Sequence, residues 1–293
     1  GMSELGTLPL GVTNGSWPGA IDNCGRIVGT SIGNTPGTPS TLRAFLWQEG
    51  VMLDLGAKPG VWSGALATSD KDVVVGWSDV TPGESMMRAF ATRIRCGTVP
   101  DGGLIDLGSL GGSWSQATAV NDKGQVVGTT SFRLPSGSVI GVPFSRDARG
   151  DMIDLPLLSG ATFGSALALN ERGAVVGSCL NTRGAVTERA ALWRRTHAGW
   201  SITELGSFVG TTRNVPTAID EQERVVGYAS LDGNDWHAYL WSEGEFYALD
   251  ELLETPSPIR IARTGGVNRR GDIAAAGYNE LGEYRAFLLL RVR

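Results

Sequence analysis

The segment Gly111–Ser131, GGSWSQATAVNDKGQVVGTTS, decides the fold. Two short runs containing β-branched residues flank a polar NDKG, which is strand–turn–strand chemistry. The same pattern returns along the chain. IDNCGRIVG ends at Gly29, TSDKDVVVG at Gly76, VNDKGQVVG at Gly128, LNERGAVVG at Gly177, IDEQERVVG at Gly227, and a degenerate VNRRGDIAA at Ala275. Successive copies lie 47, 52, 49, 50 and 48 residues apart, a spread narrow enough to define a repeat.

Each copy continues in the same way. A variable loop leads to RAFLW (43–47), RAFAT (88–92), VPFSR (142–146), RAALW (189–193), HAYLW (237–241) or RAFLL (285–289). After a tight turn come VMLDLG (51–56), GLIDLG (103–108), DMIDLP (151–156), SITELG (201–206) or EFYALD (245–250). Every unit therefore carries four short strands, A to D, with no sustained helical period. Four strands per unit of about 50 residues is the pattern of a propeller blade. The expectation is an all-β, single-domain, six-bladed β-propeller of four-stranded blades. Its blade cores fall near 12–56, 57–108, 109–156, 157–206, 207–250, and 251–293 with 2–8. The last unit ends without a D segment, while SELG (3–6) matches TELG (203–206). The N-terminal strand is thus expected to complete the last blade and close the ring, removing an exposed sheet edge.

The tripeptides HAY (237–239) and RAF (43–45, 88–90, 285–287), with the AxAxN…GxVVG and DLG elements, resemble the HAF repeat family. The resemblance extends over essentially the whole chain. It implies a bacterial β-propeller and little about activity. Many members are exported, and Arg replaces the family's His in most copies here.

Composition narrows the partners. The 293 residues are 41% hydrophobic and 19% charged, enough for a folded core. Net charge is −5 with no long basic run, so neither nucleic acid nor an anionic membrane is an expected partner. No apolar run approaches the length of a transmembrane helix. GMSELGTLPLG lacks a basic and an apolar region, and Gly1 before Met2 reads as a tag remnant. A cytoplasmic location is expected, or an exported one if a leader was trimmed. Cys24, Cys96 and Cys179 are odd in number and lack CxxC spacing, so neither a disulfide framework nor a cysteine zinc site is expected. His197 and His237 are the only histidines, and no metal or cofactor is expected.

Residues present in every copy are read as scaffold. Trp47, Trp193 and Trp241 end strand C and are expected between blades. Arg43, Arg88, Arg189 and Arg285 open strand C, and Asp54, Asp106, Glu204 and Glu4 face them as repeated cross-strand ion pairs. DGND (232–235) reads as an ordinary turn. There is no GxSxG, HExxH or phosphate-binding glycine fingerprint.

The candidates lie where copies disagree. At the head of strand A stand Trp62, Trp114, Phe163, Arg213 and Ile261, with Gly15 or Trp17 in the first unit. The next position holds Ser63, Ser115, Gly164, Asn214 and Ala262. Arg260, Arg263, Trp77 and Tyr228 extend this set toward one mouth of the expected channel. The ligand-binding candidates are accordingly Trp17, Trp62, Trp77, Trp114, Phe163, Arg213, Asn214, Tyr228, Arg260 and Arg263. Aromatic faces with a few placed polar groups suit a small molecule or glycan, and arginines favour a carboxylate or phosphate. The alternative is that the aromatic residues plug blade seams and the arginines are solvated. A second function class is a lyase, isomerase or cyclase acting on an anionic or aromatic molecule, with His237, Tyr228 and Arg213 as catalytic candidates. A protein-docking platform is a third.

Overall fold

The computed structural model describes residues 4–10, 13–34, 40–56, 62–80, 86–95, 103–134, 136–137, 139–148, 150–182, 187–230, 235–254 and 258–292. Ser3, Cys96 and residues 232–234, which carry parts of the expectations above, lie outside them. Among the described residues the secondary structure is β, apart from a 3-10 turn at Leu249–Leu252. The chain forms two compact units, residues 1–140 with 144–154, and residues 141–143 with 155–293.

In the first unit, β1 (Thr13–Ile21), β2 (Ile27–Asn34), β3 (Thr41–Gln48) and β4 (Val51–Asp54) pair in chain order as one antiparallel sheet. The strands β5 (Ser63–Thr68), β6 (Val73–Asp79), β7 (Met87–Arg93) and β8 (Ile105–Asp106) do the same. They are followed by β9 (Gly111–Val120), β10 (Val126–Arg133), β11 (Val139–Arg146) and β12 (Met152–Asp154), of which the last three pair in order. The second unit opens with β13 (Phe163–Leu169), β14 (Val175–Asn181), β15 (Thr187–Thr196) and β16 (Gly199–Glu204). Then come β17 (Arg213–Ile219), β18 (Val225–Ser230), β19 (Trp236–Ser242) and β20 (Glu245–Ala248). It ends with β21 (Arg260–Val267), β22 (Ile273–Tyr278) and β23 (Tyr284–Leu289).

The A–B turns show why NDKG recurs. Asn121 Oδ1 accepts from the backbone N–H of Lys123 and Gln125 at 3.1 and 3.0 Å. Asp22, Asn170, Asp220 and Asn268 make the same pair of bonds in their own turns. These side chains satisfy backbone donors that the hairpin leaves open. The turn closes through a left-handed residue, Gly124 at φ 77° in the third copy and Asp72 at φ 68° in the second.

Successive sheets are joined by a second device, thirteen residues before each repeat's aligned final residue. Ser115 Oγ accepts from Ala89 N at 2.9 Å and donates to Gly108 O at 2.5 Å. Ser63 does the same with Ala44 N and Gly56 O. Each hydroxyl therefore ties strand A of one sheet to strands C and D of the sheet before it. The leucine of each DLG fills the seam below. Leu55 packs with Val28, Ala65 and Phe90, and Leu205 with Val176 and Ile219.

Three expectations need correction. Residues 4–10 form no strand, and β23 carries no paired D strand among the described residues, so the closing strand is not observed. Cys24 is disulfide-bonded, whereas Cys179 is buried and free. Spacing rules detect short-range thiol motifs and are blind to bonds between separate turns. The ion-pair ladder is also partial. The register Gln48↔Val51 and Phe45↔Asp54 places Arg43 diagonal to Asp54, but at 4.0 Å. Arg189 meets Glu204 at 2.8 Å, while Arg88 turns to Ser109 and Gly112 O, and Arg285 to Glu283. Asp54 and Asp106 instead accept from Gly56 N and Gly108 N, stabilising the chain's exit from strand D.

Candidate functional site

The structure divides the ten candidates. Arg213, Tyr228, Arg260 and Arg263 gather in the second unit, on β17, β18 and β21. Tyr228 meets Trp236 edge to face, with ring centroids 5.1 Å apart. The Arg263 guanidinium lies over both rings, 5.0 Å from the Tyr228 centroid and 5.1 Å from that of Trp236. Arg213 lies 5.5 Å from Trp236, and Arg260 lies 4.8 Å from Tyr278. Tyr278 and Tyr284 form a second edge-to-face pair at 5.2 Å. Trp236, Arg260, Ala262, Arg263, Tyr278 and Tyr284 line a cavity of about 310 Å³.

Charge in the cluster is unevenly compensated. Arg213 donates through Nε and Nη2 to Glu188 Oε2 at 3.2 and 3.1 Å. Glu188 is nearly buried and also accepts from Ser178. Arg260 pairs with Asp235, whose other oxygen lies 3.1 Å from His237 Nε2. Hydrogen bonding to His237, with the positive charge of Arg260 beside it, holds the Asp235 carboxyl below the usual carboxylate range. Arg263 takes no carboxylate and no hydrogen-bond partner among the described residues; its contacts are the two rings.

A backbone irregularity puts Arg260 there, while Arg263, opposite Ala276, keeps the register of Val215 opposite Tyr228. Strand A of the first, second, fourth and fifth sheets has one bulge, between Pro18 and Ala20 in β1 and at the matching place in β5, β13 and β17. Strand β21 has that bulge, between Thr264 and Gly266, and an additional one between Ile261 and Arg263. A bulge shifts the alternation of side chains by one. Upstream of it Ile261 turns inward, 1% exposed, where its counterpart Arg213 is exposed.

The other candidates serve the scaffold or stand apart. Asn214 is buried and its Nδ2 donates to Gly206 O at 2.5 Å, replacing the serine hydroxyl of the inter-sheet device. Phe163 packs over Gly141, where an added Cβ would meet its ring at 2.0 Å, so it fills a seam. In the first unit, Trp62 donates from Nε1 to Ser40 O at 3.0 Å, and Trp77 covers Gly64. Trp114 is half-buried, its backbone bonded to Ser131, and Trp17 is 57% exposed. No aromatic pair or cation–ring contact joins these tryptophans among the described residues. The catalytic candidates His237, Tyr228 and Arg213 are held by three different partners and share no hydrogen bond.

Sequence reasoning missed Trp236, Tyr284 and Glu188, although one signal marks all three. Each immediately precedes the strand C tripeptide, a position that reads Leu42, Met87, Gly141, Glu188, Trp236 and Tyr284 around the repeats. Variation there is as wide as at the head of strand A.

Sheets of this kind, repeated in series, define a β-propeller-like all-β fold, and solved structures agree. No protein-family profile matches the chain, and no curated protein sequence matches it either. TolB from Acinetobacter baumannii is similar over 80% of this chain and 53% of its own, with 14% identity and a TM-score of 0.51. A prolyl endopeptidase matches over 95% and 42%, with 12% identity and a TM-score of 0.58. The Pyrococcus horikoshii acylaminoacyl peptidase matches over 93% and 44%, with 10% identity and a TM-score of 0.58. The chain thus spans about half the length of these proteins or less, and the likeness is one of propeller fold.

Proposed function

We propose that the protein is a six-bladed, HAF-repeat propeller that binds a small molecule at the arginine–aromatic cluster of its fifth and sixth blades. The observation that carries this reading is Arg263, exposed and without an acid partner among the described residues, held by Tyr228 and Trp236 beside a cavity of about 310 Å³. Surface arginines that serve only solubility have no need of a two-ring support. A fixed guanidinium retains its donors for a ligand while losing little conformational entropy on binding. Concave sites with aromatic walls and a few oriented polar groups are where small molecules bind.

Six blades and ring closure are supported from the N-terminal side. Ser16 Oγ donates to Gly6 O at 2.8 Å, as Ser63 does to Gly56 O and Ser115 to Gly108 O. Gly6 has φ 82°, matching Gly108 and Gly206 at 82°. Gly6 thereby stands where the residue after strand D stands in the other repeats. An oxidising compartment, rather than the cytoplasm, is supported by the disulfide at Cys24; a free Cys24 thiol in protein isolated without reductant would overturn it.

The binding reading is tested by thermal shift against a panel of small carboxylates, phosphates and sugars. A ligand at about a hundred times its Kd adds about 2.7 kcal/mol, which raises the melting temperature by several degrees. The expected result is a hit that Trp236→Ala abolishes while the unliganded melting temperature stays within about 3 °C. A hit unaffected by Trp236→Ala places binding elsewhere and overturns the assignment of the site.

A further inference from the structure

We infer that the ligand of this cluster is a ring-bearing monocarboxylate, and that Arg263 is the residue that reads its carboxylate. This rests on the proposed binding site and adds its chemistry.

Charge is the first argument. The cluster holds three guanidiniums, Arg213, Arg260 and Arg263, and two carboxylates face them, Glu188 and Asp235. Among the described residues one positive charge is left, and it belongs to Arg263. A monoanion balances it, whereas a phosphate dianion would leave a negative charge beside Asp235. Geometry is the second. Guanidiniums already occupy faces of Tyr228, Trp236 and Tyr278. The face-on stacking by which aromatic residues hold a neutral sugar is therefore partly taken. What Arg263 still offers is the in-plane N–H edge of a guanidinium, the shape that accepts two carboxylate oxygens at once.

The third argument is size and wall chemistry. A cavity of about 310 Å³ sits at the low end for small-molecule sites, room for one ring and its substituents. Tyr278 and Tyr284 are 37% and 50% exposed, so they offer ring edges and hydroxyl groups to the body of the ligand. The additional bulge at Ala262 is the fourth. It is absent from β1, β5, β13 and β17, and it moves Arg260 to the register that Arg213 holds in β17, at the edge of the cavity. Bulges beside sites are a means of re-aiming a side chain.

The test is a titration with benzoate and D-glucuronate, each against its neutral counterpart, benzamide and D-glucose, followed by ligand-observed NMR. At least one carboxylate is expected to bind ten times or more tightly than its neutral partner. Arg263→Gln should erase that preference, while Arg213→Gln, which removes an already paired guanidinium, should leave a preference of the same sign. Neutral and charged probes binding equally, with both lost in Trp236→Ala, would overturn the carboxylate assignment and leave the binding site standing. Preference retained in Arg263→Gln would overturn the role of Arg263. No binding of any of the four probes would overturn the inference together with the site.

Discussion

One hydroxyl at Ser115 stands between three strands. It accepts from Ala89 N and donates to Gly108 O, and it is fully buried. Ser115→Ala would leave an amide and a carbonyl without their partner in a dry seam. Such a loss costs about 1–3 kcal/mol, so chemical denaturation should show a lower midpoint with an unchanged m-value. Ser115→Asn should recover part of that loss, because the Asn214 amide makes the donation to the carbonyl, Gly206 O, at the matching place in β17. If alanine and asparagine are equally destabilising, the hydroxyl is not the tie described here. The residue scale also explains a misreading. In sequence, Ser63, Ser115 and Asn214 look like members of a variable polar ring. Variation here reflects interchangeable donors to one carbonyl, and only the bond geometry reveals it.

Elements are where the sequence is most legible. Polar turn residues with a following apolar pair mark each A–B hairpin, with a glycine next in all copies but the sixth, and each such hairpin is present, the β9–β10 turn closed by Asn121 N–H to Gln125 O at 3.1 Å. The glycine has a steric cause. A Cβ at Gly177 would lie 1.9 Å from Ser165 O, and at Gly76 2.0 Å from Gly64 O, because strand A crosses directly over that position. Neither site has positive φ, so backbone freedom is not the reason. Gly177→Ala must push strand β13 away from β14, at a cost of about 3 kcal/mol or more; a variant that melts within a degree of wild type would show that the strands have room. What was not legible is the bulge at Ala262. A bulge is decided by which backbone groups find partners on β22, and nothing in RIARTGG announces that two residues will be left out of register. The place of Arg260 follows from that bulge, and which arginine meets an acid follows from folded neighbours, so Arg263 could be named from sequence as a candidate but not distinguished from Arg213 or Arg260.

At the scale of the whole molecule, the repeat was readable because each unit repeats the same seam. The seam also predicts how the ends behave. In the second, third, fourth and first sheets, the DLG-type leucine N–H donates to the strand C tripeptide: Leu107 to Ala89 O, Leu155 to Pro143 O, Leu205 to Ala190 O, and Leu55 to Ala44 O. Burial follows, with Ala44, Ala89 and Ala190 no more than 2% exposed. In β23 the equivalent Ala286 is exposed, and Leu288 and Leu290 are 65% and 66% exposed. An apolar strand edge in this state is an aggregation site unless something pairs with it. Leu5 is the chain's own candidate, since Gly6 already carries the carbonyl that Ser16 uses. Removing residues 1–6 spares Leu8, whose N–H bonds Ser31 Oγ, and so isolates the closing segment. The shortened protein should melt at least about 5 °C lower and should aggregate faster at the same concentration. Leu5→Asp in the full chain should have the same sign and a smaller size. An unchanged melt in both would mean that β23 remains an open edge and that the repeats hold together without closure.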